Sequence, residues 1–475
     1  MSTRILAMGL DWKGNRLFPP LDEAAMQNAL VKALVPNSPR VERQARSSSR
    51  AAVFRGEQAH LVVDRGDPKA AGWTFLVADK DPKKSAYIAA LAPLAKARGM
   101  DDPKTPLLFD GSGPDSWPEW MTDRYYALDL AGKKVPGYVL IVGGPDQVPF
   151  GFQSLLDTVA SVGRLDFDRT EDLAAYAAKV LRLEAAPSPA VERQALFFAT
   201  DGGTDDPTYF SRKYMAEPLA AHVREDLKVK TTEIVGDAAT KANLLAALSK
   251  TKAALVYTAS HGLGATSESQ QVQAKYNGAI CCQHDGPLTL DHLLSADDIP
   301  STDAMCEGAV VFQFACYGYG TPAQSEYAHW LPESWGKAQP NVPKDFVAAL
   351  PKKLLANPRG PIAFIGHLDT AFLHGFADPQ QPHTIDRWHT RIVPFKRAVD
   401  QLLGVQPSGL AMEGINERYA VCNAMITNAS DRVQRGTMSW TEESLRMFLD
   451  TWITRSDAQN YFVLGDPAAR LRIPT

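Results

Sequence analysis

The chain is poor in cysteine. It has five in 475 residues, an odd number, so no disulfide framework can be laid over it. It also lacks any run of about 18 uninterrupted apolar residues, so no transmembrane helix is expected. Residues 1–13 hold one basic residue, Arg4, before an apolar stretch that stops at Asp11, which is too short for a secretory signal. These absences point to a protein of a reducing, cytoplasmic compartment. Nor is there an excess of one charge: 50 Lys and Arg face 54 Asp and Glu, a formal net charge of -4. A dedicated nucleic-acid or anionic-membrane partner is therefore disfavoured. Apolar residues at 45 % and charged residues at 22 % exclude a disordered chain, a collagen and a coiled-coil rod. The length suggests about two to four core-forming units.

What is present is an alternation of apolar strands and amphipathic helices. Trp73–Ala78, Leu107–Phe109 and Tyr138–Val142 read as short buried strands, and Ala86–Ala97 and Glu171–Glu184 carry helical spacing. The stretch 185–191 (Ala-Ala-Pro-Ser-Pro-Ala-Val) reads as a linker. A second series follows, with strands at 195–200, 253–258, 309–314 and 361–366 and a helix over Tyr214–Leu227. Such alternation predicts an α/β fold with a mostly parallel sheet flanked by helices. We divide the chain into an N-terminal extension (1–70), a smaller α/β subdomain (71–187) and a larger catalytic domain (188–475). Arg40–Arg50, with four arginines and three serines, reads as a solvated loop.

Three strands of the second series end in a functional group: Asp201, His261 and Cys316. Sites in open α/β sheets form outside the carboxyl ends of strands. An acid, an imidazole and a thiol at one edge are the parts of a thiol-nucleophile system, in which the imidazole handles the proton and the carboxylate orients the imidazole. Gly262 lets a substrate carbonyl approach the backbone, and its N–H with that of Cys316 is a candidate oxyanion hole.

The order, an apolar strand then Ser260-His261-Gly262 and later an apolar strand then Ala315-Cys316, resembles the pattern shared by caspases, legumains, separases and gingipains. The likeness to the gingipain-type cysteine peptidases extends over roughly 137–475. It is carried by Tyr138-Val-Leu-Ile-Val-Gly-Gly-Pro, Val162-Gly-Arg-Leu with the following helix, Gly360-Pro-Ile-Ala-Phe-Ile-Gly and Tyr461-Phe-Val-Leu-Gly-Asp-Pro. The resemblance implies a caspase-like fold preceded by a smaller α/β subdomain. It implies a cysteine endopeptidase that works through an acyl-enzyme, with His261 as general base, Cys316 as nucleophile and Asp201 as the acid that contacts the histidine.

In arginine-cleaving members a pocket Asp lies eleven residues after that acid. Here the position is Arg212, with Lys213 beside it, which would favour an acidic side chain before the cleaved bond (the P1 position). Asp369 in the pocket-lining stretch supports a basic P1 instead, and the family's aromatic pocket lid falls near Phe372 or Leu373, so P1 stays open between acidic and basic. No cofactor or metal is required. Asp201, Asp205 and Asp206 offer a calcium alternative, and Cys281, Cys282, His284, Asp285 and His292 fit no tetrahedral zinc spacing well. The partner is a polypeptide substrate. A regulatory protein could contact residues 1–70 or the 320–345 insertion, which holds Trp330 and Trp335. By analogy with bacterial relatives the role would be a regulated one in stress or antiviral defence. The competing readings are an inactive caspase-like scaffold and a thiol acyltransferase.

Overall fold

The computed structural model describes residues 4–34, 64–265, 267–327, 342–376 and 391–474. The basic run Arg40–Arg50, Trp330, Trp335, His383 and His389 lie outside the described residues.

Ten strands form one sheet: β1 (Trp73–Ala78), β2 (Leu107–Phe109), β3 (Tyr138–Val142), β4 (Ser161–Leu165), β5 (Glu192–Ala199), β6 (Lys230–Val235), β7 (Ala253–Ala259), β8 (Val310–Phe314), β9 (Ala363–His367) and β10 (Tyr461–Gly465). Their order across the sheet is β2-β1-β3-β4-β10-β9-β8-β7-β5-β6. Every neighbouring pair is parallel except β9 with β10. Residues 71–187 and 188–475 thus both supply strands to this sheet, and the chain's last strand is inserted between the two sets. Because the junction is antiparallel, β1–β4 with β10 run one way and β5–β9 the other. Their carboxyl ends lie at opposite edges of the sheet.

Continuous apolar strands are the sequence signature of burial on both faces. Along β1 and β3 the side chains alternate between two clusters. Phe75, Val77, Leu140 and Val142 join one, and Leu76, Ala78, Val139 and Ile141 the other. Strands β7, β8, β9 and β10 are buried along their whole length. Helices Lys84–Ala97 and Thr170–Ala185 pack on each other, as do Glu413–Gln434 and Glu442–Gln459.

Gly163 in β4 is required by the insertion of β10, since a Cβ there would lie 2.2 Å from the Gly465 carbonyl oxygen. The edge strand β6 (Lys-Thr-Thr-Glu-Ile-Val) is half exposed and too polar to stand out in the sequence. The helix expected from Tyr214 begins as a wider turn over Arg212–Ala216 and becomes regular over Glu217–Glu225, with Pro218 in its first turn. No helix among the described residues is long and apolar enough to cross a membrane.

Candidate active site

Strands β7 and β8 are parallel neighbours, with Phe314 opposite Ala259. Two residues past each of these lie Cys316 and His261, so the register carries thiol and imidazole to the same level of one edge. Gly262 packs on the thiol's own backbone. A Cβ there would lie 2.0 Å from the Cys316 carbonyl oxygen, so only glycine fits. Tyr317, directly after the cysteine, and Asp369, after β9, both take left-handed conformations with φ of 58° and 67°. Tyr317 N–H donates to the Asp369 carbonyl at 2.9 Å, which ties the two turns together. Such backbone strain around a reactive side chain persists because the surrounding packing fixes it.

His261 is 5 % exposed. Its Nε2 lies 2.9 Å from Oδ1 of Asp206, and its Nδ1 accepts the Gly9 N–H at 2.7 Å. A ring nitrogen that accepts an N–H is unprotonated, so the ring proton sits on Nε2 and is donated to Asp206. Cys316 is fully buried. Its Sγ lies 2.8 Å from the Met8 carbonyl oxygen and accepts the Ala371 N–H at 3.2 Å. Burial pushes the thiol well above its ordinary value, outweighing the lowering by Ala371. Sulfur and imidazole therefore meet across a single peptide unit, Met8–Gly9, the sulfur at its oxygen and Nδ1 at its nitrogen.

The acid beside the histidine is Asp206, not Asp201. The Asp201 carboxylate pairs with Arg212 at 2.7 Å and accepts the Gly203 N–H at 2.8 Å. Asp206 caps the helix Pro207–Ser211, accepting from Thr208 N at 2.9 Å and Thr208 Oγ1 at 2.6 Å, and this aims its other contacts at His261. Burial works to raise the Asp206 carboxyl, but the hydrogen bonds it accepts from His261 and Thr208 hold it well below the usual range. The sequence signal for this position is an aspartate directly before a proline that opens a helix.

The expected pocket residues are engaged in other contacts. Arg212 is bound between Asp201 and Glu217. The Lys213 Nζ donates to the Tyr209 hydroxyl at 2.9 Å. Asp369 is buried, accepting from Thr370 N at 2.8 Å and Glu326 N at 3.2 Å, and burial raises it to about 6. Phe372 is buried, its ring 4.7 Å from that of Tyr327 in an edge-on contact. Among the described residues no group of three or more His, Cys, Asp and Glu could hold a metal ion. Asp201 and Asp206, two of the three carboxylates considered for calcium, are already paired with Arg212 and His261. Cys281 and Cys282 are buried, and His284 stacks on His292 at 4.6 Å.

The profile of peptidase family C25 matches residues 76–472. The chain belongs to this family. C25 is the gingipain family of cysteine peptidases, so the protein is a cysteine peptidase, as its sequence resemblance implied. Two solved structures are similar to it. One is described as a protease, with 12 % identity over 84 % of this chain and 78 % of the other and a TM-score of 0.47. The other is a complex of the pro- and mature domains of RgpB from Porphyromonas gingivalis, with 11 % identity over 84 % of this chain and 80 % of the other and a TM-score of 0.42. A comparison with curated proteins returned no match.

Proposed function

We propose that this C25 member is an endopeptidase with Cys316 as nucleophile, His261 as the proton carrier and Asp206 as the group that holds the imidazole. The observation that carries the reading is the placement of Sγ and Nδ1 on the oxygen and nitrogen of one peptide unit. In the reaction Nδ1 takes the thiol proton and the thiolate attacks the substrate carbonyl carbon. The N–H groups of Gly262 and Cys316 receive the oxyanion. Nδ1 then delivers its proton to the leaving amine, and water hydrolyses the acyl-enzyme. Asp206 keeps the ring proton on Nε2 throughout, so that Nδ1 faces the chemistry.

For P1 we favour an apolar side chain over an acidic or a basic one. Arg212 is neutralised by two carboxylates and Asp369 is closed off, whereas the residue lying at the thiol is the fully buried Met8. A cytoplasmic setting is consistent with five free, buried cysteines.

The test is cleavage of an unbiased peptide library by the full chain and by its Cys316→Ala variant. We expect Cys316-dependent hydrolysis after Met or Leu. A library left intact by both chains contradicts the peptidase assignment of these residues, and cleavage confined to Asp, Arg or Lys at P1 contradicts the apolar preference.

A further inference from the structure

Beyond β9 the chain turns back past the thiol, and three consecutive backbone N–H groups of that turn each end on an acidic side chain. Thr370 N–H donates to Oδ1 of Asp369 at 2.8 Å, Ala371 N–H to Sγ of Cys316 at 3.2 Å and Phe372 N–H to Oδ1 of Asp457 at 3.3 Å. Runs of successive amides make seats for anions. The outer places of this seat are filled by two buried carboxylates and its middle place by the sulfur.

The imidazole supplies no proton to the sulfur in this arrangement. Nδ1 is unprotonated, and the ring proton sits on Nε2 toward Asp206. Among the described residues, the donor that the sulfur accepts is Ala371 N–H. Such a bond strengthens when its acceptor ionises, and so favours the thiolate. It works against burial, which pushes the thiol up, and against the Asp369 and Asp457 carboxylates, which push the same way. With these two, the titratable groups around the sulfur are His261, Cys281 and Tyr317.

The turn is held by Asp457. This residue stands near the end of helix Glu442–Gln459, 1 % exposed and 85 positions from Phe372. Its Oδ1 also lies 3.3 Å from Nε2 of the fully buried His367, the last residue of β9. Its Oδ2 packs on the far end of the turn, where a Cβ at Gly375 would lie 2.0 Å away. One carboxylate therefore contacts the start, the middle and the end of the segment that carries Ala371.

We propose that Ala371 N–H stabilises the Cys316 thiolate and that Asp457 is a positioning residue, holding the turn that presents this N–H to the sulfur. Its consequence for catalysis rests on the reading of Cys316 as the nucleophile.

The test measures two rates per folded molecule: iodoacetamide labelling of Cys316, which reports thiolate, and library hydrolysis. The full-length chains are the parent, Asp457→Ala, Asp457→Asn and one with an ester in place of the Thr370–Ala371 peptide, which removes the Ala371 N–H. A merely structural role, by loosening the turn, would speed labelling when Asp457 is lost, and so would removal of a negative charge beside the thiol. Loss of a positioned donor slows it. We expect labelling and kcat to fall by about tenfold in Asp457→Ala and in the ester chain, with KM unchanged. Asp457→Asn keeps an acceptor for Phe372 N–H and should label at least as fast as the parent. If Asp457→Ala does not fold, Asp457→Leu, which fills the same space without an acceptor, replaces it. Labelling as fast as the parent's in the Ala or Leu chain, or an Asn chain as slow as either, overturns the positioning role. An ester chain that labels like the parent overturns the thiolate seat. Labelling that follows the expected order, with no Cys316-dependent hydrolysis in the parent, supports the seat and overturns the peptidase reading alone.

Discussion

Two buried polar constellations, one in each half of the sheet, are satisfied in opposite ways. In β4, Arg164 is fully buried and donates Nε to Gln153 at 2.9 Å, Nη1 to the Gly143 carbonyl at 2.9 Å and Nη2 to the Val148 carbonyl at 2.7 Å. Its partners are 11, 21 and 16 positions away, on segments locked beside it. At the other edge, Cys316 and His261 find Met8 and Gly9, which are 308 and 252 positions away on a hairpin held mainly by backbone bonds. A buried polar group needs a partner. Where that partner is part of the local fold, the group is structural. Where it comes from a segment remote in sequence and held by backbone bonds, the group stands at a strand end among the parts of a reaction.

Substitutions sharpen this contrast. The largest effect belongs to Cys316→Ala. Hydrolysis should fall by about 10⁴-fold or more, with the melting temperature nearly unchanged. Residual hydrolysis within tenfold would assign the chemistry elsewhere. Next come the two aspartates. Asp206→Asn should lower kcat by about 10²–10⁴-fold, because an amide does not hold the imidazole proton on Nε2. Asp201→Asn, which loses only a partly exposed pair with Arg212, should stay within about threefold. Equal losses in the two variants would erase the distinction drawn from the geometry.

On the other side of the comparison, Arg164→Met should cost about 3–5 kcal/mol in denaturant unfolding, since it strips the buried Gly143 and Val148 carbonyls of this donor and leaves Gln153 Oε1 only a long bond from Tyr319. Cys316 labelling per folded molecule should not change. A smaller effect concerns pH. Asp369 is raised from 3.8 to about 6 by burial, so the folded chain binds its proton more tightly than the unfolded one. The resulting contribution, about 2–3 kcal/mol, is fully present below about pH 4 and is lost as pH rises through about 6. Asp369→Asn should flatten the stability curve between those limits. An unaltered slope would mean that Asp369 does not titrate there.

Much of this was legible in the sequence, and what was not has physical reasons. The strands around the site are apolar along their whole length, and His261 and Cys316 stand directly after them. Their placement therefore follows from strand ends and the parallel register. The acid was misplaced by five residues. Asp201 and Asp206 flank one loop, and only the cap geometry decides which turns toward the imidazole. Arg212 suggested a charged pocket because sequence spacing does not reveal the carboxylates that neutralise it. The N-terminal hairpin carries no periodic pattern, since its hold on the cleft comes from backbone groups that every residue type supplies. The antiparallel insertion of β10 was equally hidden, because pairing partners 300 residues apart in order of magnitude leave no local trace.

The most direct measurement of the thiol–imidazole pair is reaction of the full-length chain with a peptidyl chloromethyl ketone ending in methionine, followed by intact-mass analysis and peptide mapping. One adduct is expected, on Cys316, formed about 10²-fold or more slowly when His261→Ala is added. Adducts spread over Cys281, Cys282, Cys306 and Cys422, or a Cys316 adduct whose rate ignores His261, would contradict the pairing.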